Sequence, residues 1–225
     1  MNRFTLLAQV ASSPMLKTTA NDKQIATFMV EIAQYNNDDP SIILSVSAWG
    51  AIATDAAESV QQGAYLVLEG RLRLEKGHQP ELQLSRFYAV TPQYLPSLNS
   101  VCLVGRAGKD DPKVDYFESG SVVAKFSLAV NRPTRDKEAD WFNLETWGKT
   151  AQVAADYVRR GSLLAVVGSL KQDNWTDKTT GEPRSKLVIR VDDLRLLGSR
   201  RDSEAAPAGG DQWSNGPASD EEIPF

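Results

Sequence analysis

Slid against itself by 98 residues, the chain matches its own sequence: Pro14 falls on Pro112, Ala26 on Ala124, Phe28 on Phe126, Trp49-Gly50 on Trp147-Gly148 and Gly63 on Gly161. The alignment runs on without a gap. Ala53, Ala56, Ala57 and Val60 land on Ala151, Ala154, Ala155 and Val158, and Leu66, Gly70 and Leu72 land on Leu164, Gly168 and Leu170. An ungapped match that keeps tryptophan and several glycines is not chance, so the chain contains two copies of one domain. Two repeats are too few for a solenoid, and each copy is long enough to bury a core of its own. The 225 residues, 41% of them hydrophobic, suffice for two small cores once a polar tail is set aside.

Within a copy the apolar pattern changes period in a fixed order. In the second copy Val101 to Val104, Val122 to Val130 and Trp141 to Trp147 read as strands, whereas Ala151, Ala154, Ala155 and Val158 recur at helical spacing. Gly161 follows Arg159-Arg160 where the glycine after a helix C-terminus is expected, and Leu163 to Leu170 and Leu187 to Leu196 give two further strands. Between them the turn-forming Thr179-Thr180-Gly181-Glu182-Pro183 makes Lys171 to Lys186 a long hairpin. Three strands, a helix and two more strands is the order of the OB-fold, a five-stranded Greek-key barrel. The expected organisation is all-β: an OB-fold over 1–92, a linker over 93–98, a second OB-fold over 99–198, and a disordered acidic tail over 199–225. That tail is rich in Ser, Glu, Ala, Pro, Gly and Asp and cannot bury enough apolar surface to offset its ordering entropy.

Several function classes drop out on composition. No run approaches the ~18 consecutive apolar residues of a membrane span, and Met1-Asn2-Arg3-Phe4 leads into a strand-like pattern without a signal-peptide core, so a cytoplasmic protein is expected. Cys102, the single cysteine, lies in the apolar run Val101-Cys102-Leu103-Val104 and reads as a buried small hydrophobe. One histidine, His78, in a polar turn, cannot build a metal cluster, and no cofactor is called for. Asp110-Asp111 or Asp192-Asp193 could in principle hold a magnesium ion for phosphodiester hydrolysis, but neighbours on a strand point to opposite faces, which makes Asp192-Asp193 poor ligand geometry, and no enzyme is expected. The formal charge of −4 hides an asymmetry: −2 over 1–98, +4 over 99–201 and −6 over 202–225.

The second copy carries the candidate binding residues. Alternation in Trp141-Phe142-Asn143-Leu144-Glu145-Thr146-Trp147 puts Phe142, Leu144 and Thr146 on one face and Trp141, Asn143, Glu145 and Trp147 on the other. With Phe142 and Leu144 inside the barrel, two indoles are left outside, where each can stack on a nucleobase for ~1–3 kcal/mol. Trp175 opens the long hairpin among Lys171, Lys178, Arg184 and Lys186, which interleaves an aromatic with cations on a projecting arm. Arg132, Arg135, Lys137 and Lys149 flank the tryptophan strand, and Lys109 and Lys113 could add phosphate contacts. In the first copy Trp49 survives, but Ile43 and Gly77 stand at the places of Trp141 and Trp175, and replacing Ile43 by Ala is expected to affect stability more than binding.

The last six residues, Asp220-Glu221-Glu222-Ile223-Pro224-Phe225, form a short acidic peptide with an apolar tip, suited to a partner with a hydrophobic pocket and a basic rim. Together with Leu103-Val104-Gly105-Arg106, Phe126-Ser127-Leu128-Ala129-Val130, Asp140-Trp141-Phe142-Asn143, Trp147-Gly148-Lys149, Tyr157-Val158-Arg159-Arg160-Gly161 and Trp175-Thr176-Asp177, it makes the chain resemble the bacterial single-stranded DNA-binding protein family. The resemblance is strong in the second copy and weaker in the first. It implies OB-folds that wrap single-stranded DNA without regard to sequence, stacking at Trp141, Trp147 and Trp175, and a terminal peptide that recruits replication, recombination and repair enzymes to protected DNA near the nucleoid. Most of the family has one OB-fold per chain and assembles as tetramers, so two per chain resembles the minority that pair as homodimers. The residues alone leave open a single-stranded RNA-binding OB protein or a replication accessory factor, because stacking tolerates either sugar.

Overall fold

The computed structural model describes residues 1–34, 40–75, 77–91, 98–133 and 138–198. The first copy runs β1 (Asn2–Val10), β2 (Met15–Thr18), β3 (Gln24–Ile32), β4 (Ile42–Trp49), α1 (Ala51–Ser59), β5 (Tyr65–Arg73) and β6 (Glu81–Val90). The second repeats this as β7 (Asn99–Ala107), β8 (Lys113–Tyr116), β9 (Val122–Asn131), β10 (Ala139–Trp147), α2 (Gly148–Tyr157), β11 (Leu163–Thr176) and β12 (Pro183–Leu196). Each is a closed five-stranded barrel with one short helix, the OB-fold. The strands follow the order β2-β3-β4-β6-β5-β1-β7-β11-β12-β10-β9-β8, and β3–β1 and β7–β9 pairings close the two barrels. The short strands β2 and β8, which the apolar pattern alone does not reveal, are mostly exposed and add an edge to each barrel.

Period-two alternation fills the barrels. In β10 Phe142, Leu144 and Thr146 are buried and Trp141, Asn143 and Trp147 exposed. Gly70 and Gly168 sit at register shifts in β5 and β11, where a Cβ would lie 2.3 Å from the Gln83 carbonyl oxygen and 2.0 Å from that of Arg190. The strand beside each bulge approaches so closely that only glycine fits, which explains why the repeat keeps it. Gly161 has another role than the one expected. Helix α2 ends at Tyr157, because Val158, 1% exposed, adopts an extended backbone that carries its side chain into the core. Gly161 lies farther on in a turn with φ 78°, and its N–H donates to the Ala107 oxygen at 3.0 Å.

The two barrels share one seam, the antiparallel pair β1–β7, in which Asn2 faces Leu103, Phe4 faces Val101 and Leu6 faces Asn99. Phe4 faces Gly70 in its own barrel, as Val101 faces Gly168, so the first strands correspond at a spacing of 97 residues. The one-residue difference from the spacing elsewhere is absorbed between β7 and β8. In this correspondence Phe4 and Val101 are equivalents paired with each other, which makes the seam a local pseudo-two-fold axis. Matching side chains reinforce it: Asn2 Nδ2 donates to the Leu72 oxygen (2.8 Å) and Asn99 Nδ2 to that of Leu170 (2.7 Å). Beneath the seam the Phe4 and Phe142 rings pack with centroids 6.0 Å apart, so the two cores touch.

Candidate nucleic-acid interface

The outer face of β10 is built by neighbours that are too small to cover it. Trp141 lies opposite Ala129 on β9, and its ring rests over Gly108, whose missing Cβ would stand 3.3 Å from Cζ3. Trp141, Trp147 and Trp175 are 53%, 43% and 45% exposed, so none contributes its full apolar area to a core. Trp147 is nonetheless fixed in place. Its Nε1–H donates to Glu145 Oε1 at 2.9 Å, and its ring stacks on Phe117 with centroids 5.8 Å apart and planes 16° apart. One face of the indole is thus occupied and its orientation set.

Glu145 joins the tryptophan strand to the hairpin. The carboxylate is almost wholly buried on the outer face, with Lys125 Nζ at 3.5 Å from one oxygen and Lys171 Nζ at 3.8 Å from the other. Lys171 also pairs with Asp173 at 3.0 Å, and Lys186 reaches Asp173 at 3.9 Å while its ammonium lies 5.8 Å from the centroid of the Trp175 ring. Register explains the grouping: Asp173 faces Lys186 and Trp175 faces Arg184 across β11 and β12, on one face of the twisted ribbon. Arg184 is paired with Glu182 at 3.3 Å. Exposed pairs of this kind are worth ~0–1 kcal/mol, so a phosphate oxygen can replace the carboxylate at small cost. Lys149 in the first turn of α2 and Lys178 in the hairpin turn are exposed and make no ion pair among the described residues. The site therefore offers aromatic faces in a field of exchangeable cations.

Arg132 departs from the sequence expectation of a phosphate contact. Its guanidinium is buried, its side chain only 7% exposed, donating to Asp140 Oδ1 at 3.0 Å and pairing with Glu138. Asp140 Oδ1 also accepts the Leu74 N–H of the first barrel at 2.9 Å, so the cation holds a clasp between barrels. The hydrogen bond to Asp140 raises the Arg132 pKa above its ordinary value. The pseudo-two-fold mate is neutral: Gln34 Oε1 accepts the Gln172 N–H at 3.0 Å. Arg135 and Lys137 lie outside the described residues, as does the terminal peptide Asp220 to Phe225.

Phe117, the stacking partner of Trp147, and Tyr116, 75% exposed beside it, were not singled out from the sequence. Two adjacent aromatics ahead of the polar turn Glu118-Ser119-Gly120 were the available signal. In the first barrel Trp49 is exposed, as Trp147 is, but Ser47, hydrogen-bonded to Glu81, stands where Glu145 would be. Ile43 is 53% exposed rather than a core residue, so its truncation falls among surface changes of about 0.5 kcal/mol or less.

Two OB-folds in one chain, the second with exposed tryptophans and lysines on its outer surface, define the class of the protein. Comparison with known proteins gives the family. The chain belongs to the single-strand binding protein family, whose model matches residues 1–90 and 98–197. It is 60% identical over 112 residues to single-stranded DNA-binding protein 1 of Synechocystis, which covers 49% of this chain and 92% of that protein. The single-stranded DNA-binding protein of Thermosynechococcus vestitus is 60% identical over 114 residues, 50% of this chain and 94% of that one. The crystal structure of the wild-type single-stranded DNA binding protein from Thermus aquaticus shares the fold at TM-score 0.66 and 20% identity, over 93% of this chain and 97% of that one.

Proposed function

We propose that this chain binds single-stranded DNA without sequence preference, chiefly through the second barrel, and that residues 99–198 form the main binding domain. One observation carries the reading: Trp141, Trp147 and Trp175 stay exposed, and among the cations near them Lys186 and Arg184 are tied to surface carboxylates while Lys149 and Lys178 make no ion pair among the described residues. Unpaired bases stack on the indoles, while Lys149, Lys171, Lys178, Arg184 and Lys186 take phosphates. Trp49 gives the first barrel a single stacking group. Duplex DNA hides its base faces and binds only through phosphates, hence weakly. The function is binding and protection, without catalysis, in the cytoplasm.

The terminal peptide serves in the same reading as a docking site for replication, recombination and repair enzymes. Ile223 and Phe225 fill an apolar pocket of the partner, and Asp220, Glu221 and Glu222, with Pro224 between the two apolar residues, steer toward a basic rim. Two barrels per chain point to a homodimer with four OB-folds, which sedimentation equilibrium decides against a monomer of 24.7 kDa. The central test is a titration of intrinsic tryptophan fluorescence with single-stranded DNA, duplex DNA and RNA of equal length. Strong quenching by single-stranded DNA and little by duplex is expected. Equal affinity for the two DNA forms at moderate salt refutes the stacking account, and a marked preference for RNA moves the reading to an RNA-binding barrel.

A further inference from the structure

The outer surface of the first barrel meets the second in a cleft along the clasp. One stretch, about 570 Å³, has Trp141 and Glu138 of the second barrel facing Leu74, Glu75 and His78 of the first. Another, about 380 Å³, lies between Arg71, Arg73 and Gln83 of the first barrel and Asn131 and Pro133 of the second. Arg132 lines both, so the two stretches adjoin at the clasp. Volumes of this size lie within the ~300–1,000 Å³ usual for ligand clefts.

The chemistry of the cleft is polarised along its length. At one end stands the exposed Trp141 indole. At the other, Arg71 and Arg73 project from the outer face of β5, two residues apart, with the buried Leu72 between them pointing inward. Arg71 is exposed and makes no ion pair among the described residues; Arg73 pairs with the half-exposed Glu75 at 3.5 Å, an arrangement a phosphate can replace. Arg132 does not add free charge here, because Asp140 and Glu138 already neutralise it. An aromatic face followed by two available guanidiniums fits a nucleotide strand better than an apolar ligand or a carboxylic acid, since guanidinium forks match phosphate oxygens and an indole face matches a base.

We propose that this cleft is a crossing site, in which single-stranded DNA passes from Trp141 over the seam and lays its phosphates on Arg71 and Arg73. The first barrel then contributes charge to the strand's path even though Ile43 and Gly77 have replaced two of its stacking positions. The inference rests on the second barrel being the single-stranded DNA site, and adds a segment of path that the tryptophan pattern alone does not require.

The test uses the full chain with the double variant Arg71→Ala/Arg73→Ala, and a long oligothymidylate titrated across a salt series by tryptophan fluorescence. Two lost phosphate contacts reduce the slope of log K against log salt by about 1.4, with the affinity deficit greatest at low salt. A short oligothymidylate that reaches only the second barrel shows no such change. Arg71→Lys/Arg73→Lys retains most of the slope, which separates charge from folding. An unchanged slope and affinity in the alanine variant with the long strand overturns the crossing site, as does an equal loss in the lysine variant. Failure of the wild-type chain to bind single strands, or an unaffected Trp175→Ala, would instead sink the underlying reading.

Discussion

Replacing Arg132 by Ala distinguishes a phosphate ligand from a structural clasp. The Arg132 and Asp140 side chains are 7% and 4% exposed, and Asp140 Oδ1 accepts both from the guanidinium at 3.0 Å and from the Leu74 N–H at 2.9 Å. Truncating Arg132 leaves a buried carboxylate with one backbone donor and no countercharge, which costs about 3–5 kcal/mol. Glu138 is 58% exposed, so losing its pair adds at most about 1 kcal/mol. For a chain of this size, 3–5 kcal/mol lowers the unfolding midpoint by about 6–20 °C. Thermal unfolding followed by circular dichroism measures this, alongside the salt dependence of DNA binding. Arg132→Met/Asp140→Leu, which removes both charges and keeps volume, recovers part of the loss: apolar replacement of a buried pair is often neutral, but here it leaves the Leu74 N–H without its acceptor, at about 1–3 kcal/mol. The expected binding result is an unchanged salt slope under conditions where the variant is folded. An unchanged midpoint with a slope smaller by about 0.7, the value of one phosphate on a single strand, would refute the clasp and restore Arg132 as a DNA contact.

Trp175→Ala is expected to weaken single-strand binding by about 1–3 kcal/mol with little effect on the melting midpoint, checked by fluorescence anisotropy of labelled DNA. Phe117→Ala removes the ring that fixes Trp147 and is expected to cost about 0.5–1.5 kcal/mol of stacking in the free protein, visible as a shift of the tryptophan emission. Gly168→Ala places a methyl 2.0 Å from the Arg190 oxygen, so it is expected to destabilise the second barrel, measured as a lower urea midpoint than in wild type. Phe225→Ala is expected to abolish capture of DNA-processing enzymes in pull-downs while leaving DNA affinity unchanged; undiminished capture leaves the tail a solubilising role only.

The repeat made the two-barrel architecture legible, because barrel geometry imposes the same glycines, alanines and alternation on both copies. What stayed hidden depends on contacts between residues far apart in sequence. The seam joins β1 to β7 through backbone hydrogen bonds, which carry no side-chain signature, and its 97-residue correspondence differs from the register of the rest. Arg132 reads as a surface cation in a polar segment, and only its proximity to Asp140 and to Leu74 of the other barrel shows it buried. Gly161 matched a helix-ending pattern, yet burial of Val158 stopped the helix earlier. Trp141 and Trp175 were readable because exposed indoles at alternating positions have few structural uses. Phe117 was not, because its importance lies in where the turn folds back, over Trp147.

The cations of the second barrel's outer face are largely matched by carboxylates on the same face: Lys125 and Lys171 by Glu145, Lys171 and Lys186 by Asp173, and Arg184 by Glu182. On the proposed reading, a phosphate reaching Lys186 or Arg184 does not meet a bare charge; it takes the place of a carboxylate. The exchange gains less than a new ion pair, so each contact contributes modestly and affinity leans on stacking, which is insensitive to base identity. Glu145 differs from the others because it is almost wholly buried and also receives the Trp147 N–H, so its displacement would disturb the indole as well. If the second barrel binds single strands as proposed, phosphates are expected to replace Asp173 and Glu182 before Glu145. On the proposed reading, replacement at Lys186 and Arg184 suits a protein that must hold any single strand yet release it, because a departing phosphate there gives its place back to Asp173 or Glu182.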